Sequence, residues 1–294
     1  MVKKWTKTTI EDKIVDIVIF LFCTLILFVT VYPFYYILVV SFNEGICASI
    51  GGIYWWPRTF TLENFEGFFT DIRWLRASGV SVARTVVGTG FGVMFTTIVS
   101  YGLSFKDLVG RRFYLIFIII SMYFSGGIIP YFVLLREMGL LNRFAVYVVP
   151  GAVSAFFLLI GISFFGGIPS SLRESAKMDG ASEVTVFARI MIPISKPFIA
   201  TTTLFMGVGH WNNWFDTAFF IRNRDLDTLS FLMMQVVNSA QVTAIDAMHI
   251  STGNITPLSI QAAAMIIATV PIICVYPFLQ KYFVTGIMIG SVKE

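Results

Sequence analysis

The sequence predicts an all-α membrane protein with six transmembrane helices. Hydrophobic residues make up 56% of the 294 positions and charged residues only 13%, a charged share about half that of a soluble domain. The mean hydropathy is +0.80, and uncharged stretches long enough to cross a bilayer recur along the chain. This composition excludes an ordinary soluble enzyme, a disordered chain and a nucleic-acid-binding protein, since a net charge of +4 is too small to drive binding to a phosphate backbone.

Each predicted span is a mostly apolar stretch of roughly 20 residues, because lipid cannot hydrogen-bond to an exposed backbone. The six stretches cover residues 17–40, 85–105, 113–135, 144–168, 198–221 and 258–279. The first is too long for the core of a signal peptide and has no small-residue cleavage site. We therefore interpret residues 1–294 as a single transmembrane domain.

The distribution of basic residues predicts that both termini are cytoplasmic. With that orientation, 13 of the 21 Lys and Arg residues fall on the cytoplasmic side and seven on the outer side, while Arg84 lies at the start of the second span. Cytoplasmic loops of membrane proteins carry the excess of positive charge. The long 169–197 loop is then expected inside the cell, and the long 222–257 loop outside it.

Glycines in the second and third spans predict two different features. Gly88 and Gly92 lie four residues apart, a spacing at which helices approach closely, either within the chain or across a dimer contact. In the third span, Gly126 and Gly127 precede Pro130, which removes a backbone donor and weakens the helix. A broken helix is tolerated at membrane depth where it lines a cavity or is buried in protein. The residues just before this break are therefore candidates for the wall of a substrate pathway: Tyr123, Phe124 and Ser125.

The 169–197 loop is predicted to contain two short helices. Ser171 and Glu174 have the spacing of a capping box at the start of the first helix, and Gly180 is placed to end it in the left-handed conformation. The second helix starts at Ser182. Helical spacing puts three of its apolar side chains on one face: Val184, Phe187 and Met191. Physical reasoning alone favours equally an amphipathic element resting on lipid headgroups and a docking element for a soluble partner.

The order of residues in this loop resembles the EAA loop of ABC importer permeases, whose coupling helices dock on ATP-hydrolysing subunits. The residues that carry the resemblance are Glu174, Ser175, Ala176, Asp179, Gly180, Ala181, Phe187 and Pro193. Ser175 replaces an Ala of the family pattern, and Ile192 a usual Leu. Residues 276–293 are similar to the tail of maltose-type carbohydrate permeases, and residues 211–215 to their Trp-Asn element. Residues 125–130 resemble the subgroup that imports complex oligosaccharides, which includes polygalacturonan and lipoprotein permeases.

This resemblance implies a type I ABC importer permease fold with cytoplasmic coupling helices, in the inner membrane of a bacterium. It implies a non-catalytic subunit that forms half of an oligosaccharide pathway in contact with membrane lipid. The implied partners are a second homologous permease, two ATP-binding subunits and an extracytoplasmic solute-binding protein. ATP and Mg would be bound by the ATP-binding subunits, and no cofactor by this chain. The outer loop is implied to reach the binding protein, with candidate contacts at Gln241, Gly253 and Asn254.

The fifth span contains an unusual group of polar and aromatic residues. Polar groups in a span are costly and usually face the interior of a helix bundle. A Trp ring can stack on a sugar while amide and carboxylate groups bond its hydroxyls, although a subunit interface or a position near outer headgroups would explain the same residues. The candidate substrate contacts are His210, Trp211, Asn212, Asn213 and Asp216.

Two other classes of function remain open to the residues themselves. An ion-coupled secondary sugar carrier needs a buried carboxylate, for which Asp216 is the mid-chain candidate. A membrane-embedded enzyme acting on lipids or glycans needs several acids, bases or metal ligands at one depth, and the sequence does not show such a group. With two His and three scattered Cys, it predicts no metal site. It also has no phosphate-binding P-loop, so the energy for transport is expected from a partner.

Overall fold

The structure is a computed structural model that describes residues 10–246 and 256–290, with side chains for 10–238, 256–275 and 277. Within these residues the chain is helical, and its β-structure is one isolated antiparallel bridge between Asn43 and Phe60. The chain divides into two compact units. The first is formed from residues 1–70 and 236–267, and the second from residues 71–235 and 268–294, as far as they are described.

The helices are numbered in chain order. They are α1 (Ile10–Ser41), α2 (Gly45–Ile50), α3 (Glu63–Thr70), α4 (Ile72–Ser104), α5 (Arg111–Tyr123), α6 (Ile128–Glu137), α7 (Ala155–Gly166), α8 (Ser170–Met178), α9 (Glu183–Val186), α10 (Ile192–Ile194), α11 (Lys196–Asn212), α12 (Phe215–Phe220), α13 (Leu229–Asp246) and α14 (Pro257–Gly290). Short 3₁₀ turns cover Phe144–Tyr147, Pro150–Ala152 and Arg224–Leu226, and a π-helical turn covers Phe187–Met191.

Three helices of the described chain are long and apolar enough to cross a membrane: α1, α4 and the Pro257–Val275 part of α14. Two bent pairs raise this number to five if each pair is one crossing. Phe144–Ala152 and Ala155–Gly166 meet at 44°, and Glu183–Ile194 and Lys196–Asn212 meet at 75°. The predicted third span, 113–135, is divided between α5 and α6. The count of six crossings therefore stays a prediction.

In the first unit, buried amides fold the chain after α1 back onto the end of that helix. The Asn64 side chain donates hydrogen bonds to the carbonyls of Ser41 at 2.9 Å and Asn43 at 2.8 Å. The Asn43 side chain in turn accepts from the Thr59 amide at 3.1 Å. Because a buried polar group must find a partner, these bonds give the segment after α1 a defined path.

In the second unit, α4 packs against α7 and α11, and its glycines make the α11 contact close. A Cβ on Gly88 would lie 2.7 Å from His210 Cε1, and one on Gly92 would lie 3.1 Å from Met206 Sδ. His210 and Met206 both belong to α11 of the same chain. The structure thus assigns the two glycines to packing within the chain rather than to a dimer contact.

Two apolar clusters lie in the second unit. One consists of Tyr101, Phe165, Val186, Met191 and Phe198, and therefore includes residues of the 169–197 segment. The other consists of Leu135, Val146, Tyr147, Val148, Phe220 and Ile221. Since α4 carries Tyr101 near its C-terminal end, this helix joins the first cluster to the rest of the unit.

The break in the predicted third span is confirmed. Helix α5 ends at Tyr123 and α6 begins at Ile128, and Gly127 between them has a φ of +79°. Pro130 lies in the first turn of α6, where its missing N–H costs no helical hydrogen bond.

Much of the predicted outer loop, residues 222–257, is occupied by the 18-residue helix α13. The helix starts where the Leu229 amide donates a 2.8 Å hydrogen bond to the buried Ser81 hydroxyl on α4. A side chain from elsewhere in the chain thus satisfies one of the free N–H groups at the start of α13.

Candidate functional site

The 169–197 segment folds into two short helices joined by a tight turn. Gly180 has a φ of +84°, and its amide bonds to the Lys177 carbonyl at 3.0 Å, while the Ala181 amide bonds to the Ala176 carbonyl at 3.0 Å. This left-handed closure of α8 confirms the predicted role of the glycine. The hydroxyl of Ser182, where the sequence predicts the second helix to start, accepts from the Thr185 amide at 3.2 Å and caps α9.

The start of α8 differs from the prediction. The helix begins at Ser170 with Pro169 at the N-cap position and no side-chain cap. Ser171 therefore lies inside the first turn, and the predicted capping box with Glu174 is wrong. Proline has no N–H to satisfy and an extended backbone here, so the chain enters the helix directly after it.

The predicted apolar face of the second short helix is also wrong in part. Val184 is 76% exposed, whereas Val186 is fully buried and Met191 is 5% exposed. The ring of Phe187 is half-buried, with its centroid 5.0 Å from that of Tyr101. The backbone widens to a π-helical turn over Phe187–Met191, and this change of period rotates the following residues relative to an α-helix.

Glu183, the first residue of α9, contacts three donors. Its carboxylate lies 2.9 Å from Arg173 Nε and 2.5 Å from Lys177 Nζ, and it accepts a 3.1 Å hydrogen bond from the Tyr101 hydroxyl. Partial burial raises the pKa of Glu183, but the hydrogen bonds from Lys177 and Tyr101 and the charge of Arg173 more than offset this, so the net shift is downward. The carboxylate is therefore held in its charged form.

The residues of the EAA-like pattern separate by exposure. Glu174, Ser175, Asp179, Gly180 and Pro193 are exposed, whereas Ala176, Ala181 and Phe187 are half-buried against the unit. Apolar side chains stand beside the exposed ones: Met178 is 89% exposed and Leu172 43%. The outward surface of the segment thus combines charged and apolar side chains. Its inward side chains pack against the apolar cluster that contains Tyr101.

The fifth predicted span is broken by a polar junction. Helix α11 ends at Asn212 and α12 begins at Phe215. Arg84 of α4, whose side chain is 1% exposed, forms an ion pair with Asp216 and donates a 2.7 Å hydrogen bond to the Asn213 carbonyl. The Asn213 side chain donates to the Asp216 carboxylate at 3.1 Å and accepts from the Asp216 amide at 3.2 Å. These bonds supply partners for the backbone and charges at the break.

Tyr147 extends this junction. The Arg84 guanidinium lies 4.5 Å from the centroid of the Tyr147 ring, at a distance typical of a cation–π contact. The Tyr147 hydroxyl donates to the Leu226 carbonyl at 2.7 Å and lies 3.0 Å from the Thr217 hydroxyl. The network therefore connects α4, the turn at Tyr147, α12 and the chain that follows α12.

Some of the predicted substrate contacts line one cavity of about 350 Å³ in the second unit. Its polar lining includes Arg84, Tyr131, Tyr147, His210, Asn213 and Asp216. Trp211 points elsewhere: its indole donates to the Ala268 carbonyl at 3.0 Å, and it lines a second, mostly apolar cavity of about 750 Å³. Asn212 is exposed and lines neither of these two cavities.

The other predicted pathway residues are not brought to these cavities. Tyr123 and Phe124 are each 78% exposed, and Ser125 is exposed beside them at the α5–α6 break. Of the outer-loop residues, Gln241 lies in α13 with its side chain outside the described residues, and Gly253 and Asn254 lie outside them entirely. Their roles stay predictions.

Four residues of these contacts are not predicted as site residues by the sequence: Arg84, Tyr147, Tyr101 and Glu183. A signal for Arg84 is present in the sequence, because an arginine at the start of a predicted span needs a partner if the helix is buried there. Asp216, the lone carboxylate of the fifth span, was the matching partner. The two tyrosines and Glu183 carry no such signal, since nothing in their local sequence separates them from ordinary core or surface residues.

Comparison with known proteins identifies the family. Residues 88–289 match the family described as "Binding-protein-dependent transport system inner membrane component", which is more than half of the chain. The chain belongs to this family. As an inner membrane component of such a transport system it is a permease, in agreement with the resemblance of its 169–197 segment and its tail.

Two relatives from Bacillus subtilis (strain 168) extend the match along almost the whole chain. Protein LplC is 39% identical over 265 residues, which cover 90% of each chain. The polygalacturonan/rhamnogalacturonan transport system permease protein YtcP is 34% identical and covers 96% of this chain and 99% of the relative. This inner membrane component therefore matches at least nine tenths of the length of both relatives.

A solved structure confirms the fold. A chain of a bacterial ABC transporter involved in the import of the acidic polysaccharide alginate superposes with a TM-score of 0.81 at 26% identity, over 94% of this chain and 98% of that chain. The predicted all-α fold of an ABC importer permease is therefore confirmed.

Proposed function

We propose that this permease is one transmembrane subunit of an ATP-driven importer of complex oligosaccharides, and that it forms half of the translocation pathway. The observation that carries the proposal is the geometry of the 169–197 segment within a chain of this family. The segment turns tightly at Gly180 and presents an outward surface on its two short helices. Since this chain has no P-loop, ATP hydrolysis by a partner subunit can drive transport only through such a contact surface.

The docking surface is the exposed side of α8 and α9. Met178 and Val184 are the most exposed apolar side chains of this surface, at 89% and 76%, and charged Glu174 and Asp179 stand beside them. A short helix that places apolar side chains in a partner's groove is a common mode of recognition. We assign this surface to the cytoplasmic face, where two ATP-binding subunits would hold ATP and Mg, and both chain termini to the same side.

The substrate class follows from the relatives. One is a polygalacturonan/rhamnogalacturonan permease, and the solved neighbour takes part in alginate import. Each of these carbohydrates is a polymer, which favours an oligosaccharide for this chain. Within it, His210, Asn213 and Asp216 at the 350 Å³ cavity are the proposed sugar contacts, with a second homologous permease completing the pathway. An extracytoplasmic solute-binding protein would deliver the sugar to the side of the 222–257 region.

Reconstituted transport tests this function. The permease, its partner permease and the ATP-binding subunits are placed in lipid vesicles with the solute-binding protein, and uptake of labelled oligogalacturonides, arabino-oligosaccharides and maltodextrins is measured. We expect uptake of at least one probe, lost when the ATP-binding subunits are inactivated by mutation. Continued uptake with inactive subunits would instead identify an ion-coupled carrier with Asp216 as its candidate residue. Cleavage or modification of a probe by the purified chain alone would identify an enzyme.

A matched pair of variants tests the docking surface. Met178→Asp places a charge where the proposal buries an apolar side chain, so association with the ATP-binding subunits should weaken about tenfold or more. Met138→Asp changes another exposed methionine, at the end of α6, and should leave association unchanged. Co-purification of the ATP-binding subunits gives the measurement. Equal association of both variants would contradict the assignment of this surface.

A further inference from the structure

Glu183 joins donors from two different parts of the second unit. Its Oε1 lies 2.9 Å from Arg173 Nε and accepts a 3.1 Å hydrogen bond from Tyr101, and its Oε2 lies 2.5 Å from Lys177 Nζ. Arg173 and Lys177 are four residues apart and so share one face of α8. Tyr101 belongs to the last turn of α4. One carboxylate therefore fastens both short helices of the 169–197 segment to the end of α4.

A second contact reinforces the same joint. The Arg173 guanidinium lies 3.9 Å from the centroid of the Phe105 ring, and Phe105 is the residue immediately after α4. The Tyr101 ring packs against Phe187 at 5.0 Å between centroids and against Phe165 at 5.6 Å. The joint thus combines a charged bridge, a cation–π contact and an aromatic core.

This joint is separate from the outward docking surface. The exposed side chains of Glu174 and Asp179 make no ion pair within the described part of the chain. Glu183 differs because its three donors all come from the chain itself, and one of them, Tyr101, is buried at the end of α4. Glu183 therefore makes contacts within the chain, whereas Glu174 and Asp179 remain available to a partner.

Helix α4 leads from the joint to the polar junction at the break in the fifth span. Tyr101 and Arg84 are 17 residues apart on one continuous helix, which is about 25 Å along its axis. Helix α4 also packs against α7 and α11, and α11 lines both cavities. A displacement of the end of α4 would therefore reach the lining of both. A rigid element held at one end is a suitable route for such a displacement.

We propose that Glu183 is a positioning residue that transmits movement of the 169–197 segment to α4. This inference rests on the proposed function, since it supplies the link between the ATP-binding subunits and the pathway. Ion pairs of partly exposed side chains contribute little to stability. Loss of the Glu183 contacts should therefore weaken coupling while leaving folding and docking nearly unchanged.

Two variants remove the link in different ways. Glu183→Gln removes the charge that holds Arg173 and Lys177, and Tyr101→Phe removes the hydroxyl while keeping the ring in its aromatic cluster. Glu137→Gln is the control, because Glu137 forms an exposed ion pair with Arg136 elsewhere in the chain. The complete vesicle-embedded complex is assayed for the fold stimulation of ATP hydrolysis by saturating solute-binding protein, a readout that does not depend on the identity of the sugar.

We expect both variants to lower this stimulation about threefold or more, with normal co-purification of the ATP-binding subunits and no effect in the control. If Glu183→Gln impairs assembly with the ATP-binding subunits, the stimulation measured for Tyr101→Phe alone tests the inference. Stimulation at the wild-type level would overturn the inference, and loss of co-purification by Tyr101→Phe would do the same by placing the joint in docking. If the wild-type chain bound no ATP-binding subunit, the proposed function itself would fail, which is a distinct result.

Discussion

Removal of the Arg84 guanidinium is the most informative perturbation of the second unit. Arg84→Met keeps most of the apolar stem but eliminates the ion pair with Asp216, the 2.7 Å hydrogen bond to the Asn213 carbonyl and the 4.5 Å contact with the Tyr147 ring. Asp216, whose side chain is 20% exposed, is then left without its cation. The variant thus leaves a mostly buried charge uncompensated beside a broken helix.

The expected loss follows from this burial. Removing one partner of a buried ion pair costs about 3–5 kcal/mol, whereas removing both partners together is often close to neutral. Arg84→Met should therefore lower the free energy of unfolding by about 3–5 kcal/mol. The double variant Arg84→Met/Asp216→Leu should lose about 2 kcal/mol less than the sum of the two single variants, because it leaves no orphaned charge.

Denaturant unfolding of the purified chain in mixed detergent micelles measures these losses as a double-mutant cycle. Arg73→Met provides the control, since Arg73 forms an ion pair with Asp71 near the start of the same helix but is 69% exposed. The control should change stability far less than Arg84→Met. If the two arginine variants were equally mild, or if the Arg84 and Asp216 effects simply added, the buried pair would not be what holds the break in the fifth span.

Two further predictions concern glycines. At Gly180 the φ of +84° disfavours any side chain, so Gly180→Val should strain the turn by about 1–2 kcal/mol or more and reduce probe uptake per ATP hydrolysed in vesicles. Gly166→Val, with open space around its Cβ position and an ordinary φ, should leave this ratio unchanged. Equal coupling in both variants would refute the role of the turn. Gly88→Ala should lower the free energy of unfolding by about 1–3 kcal/mol, because the new Cβ would meet the His210 ring, which Gly151 confines from another side. Gly90→Ala is the control, since a Cβ at Gly90 meets nothing within 4 Å. Equal unfolding midpoints of the two variants would argue against close packing between Gly88 and His210.

Features governed by neighbouring residues were predictable. Gly180 ends α8 because only glycine adopts a positive φ without strain, and Ser182 caps α9 because its hydroxyl reaches an amide three residues ahead. The break before Pro130 has the same local origin. Likewise, the order of residues in the 169–197 segment was enough to identify the family, since the pattern spans a long stretch with defined spacing.

Features that depend on distant partners were not predictable in this way. The π-helical turn at Phe187–Met191 changes which side chains face the core, and no local residue indicates it. Helix α13 begins where Ser81, 148 residues away, accepts a hydrogen bond from its first amide. Asn213 and Asp216 line the 350 Å³ cavity, but no local residue indicates that their polar groups bond Arg84 and each other.

Composition and short-range pattern were thus sufficient for the membrane class, the helical architecture, the tight turn of the 169–197 segment and the family. Those properties depend on hydrophobic length and on backbone preferences within a few residues, which any reader of the chain can evaluate. The pairing of Arg84 with Asp216 and of Glu183 with Tyr101 depended on folding. Burial brings together charges and hydroxyls separated by 132 and 82 positions, and a group removed from water must take whichever partner the packed helices place beside it.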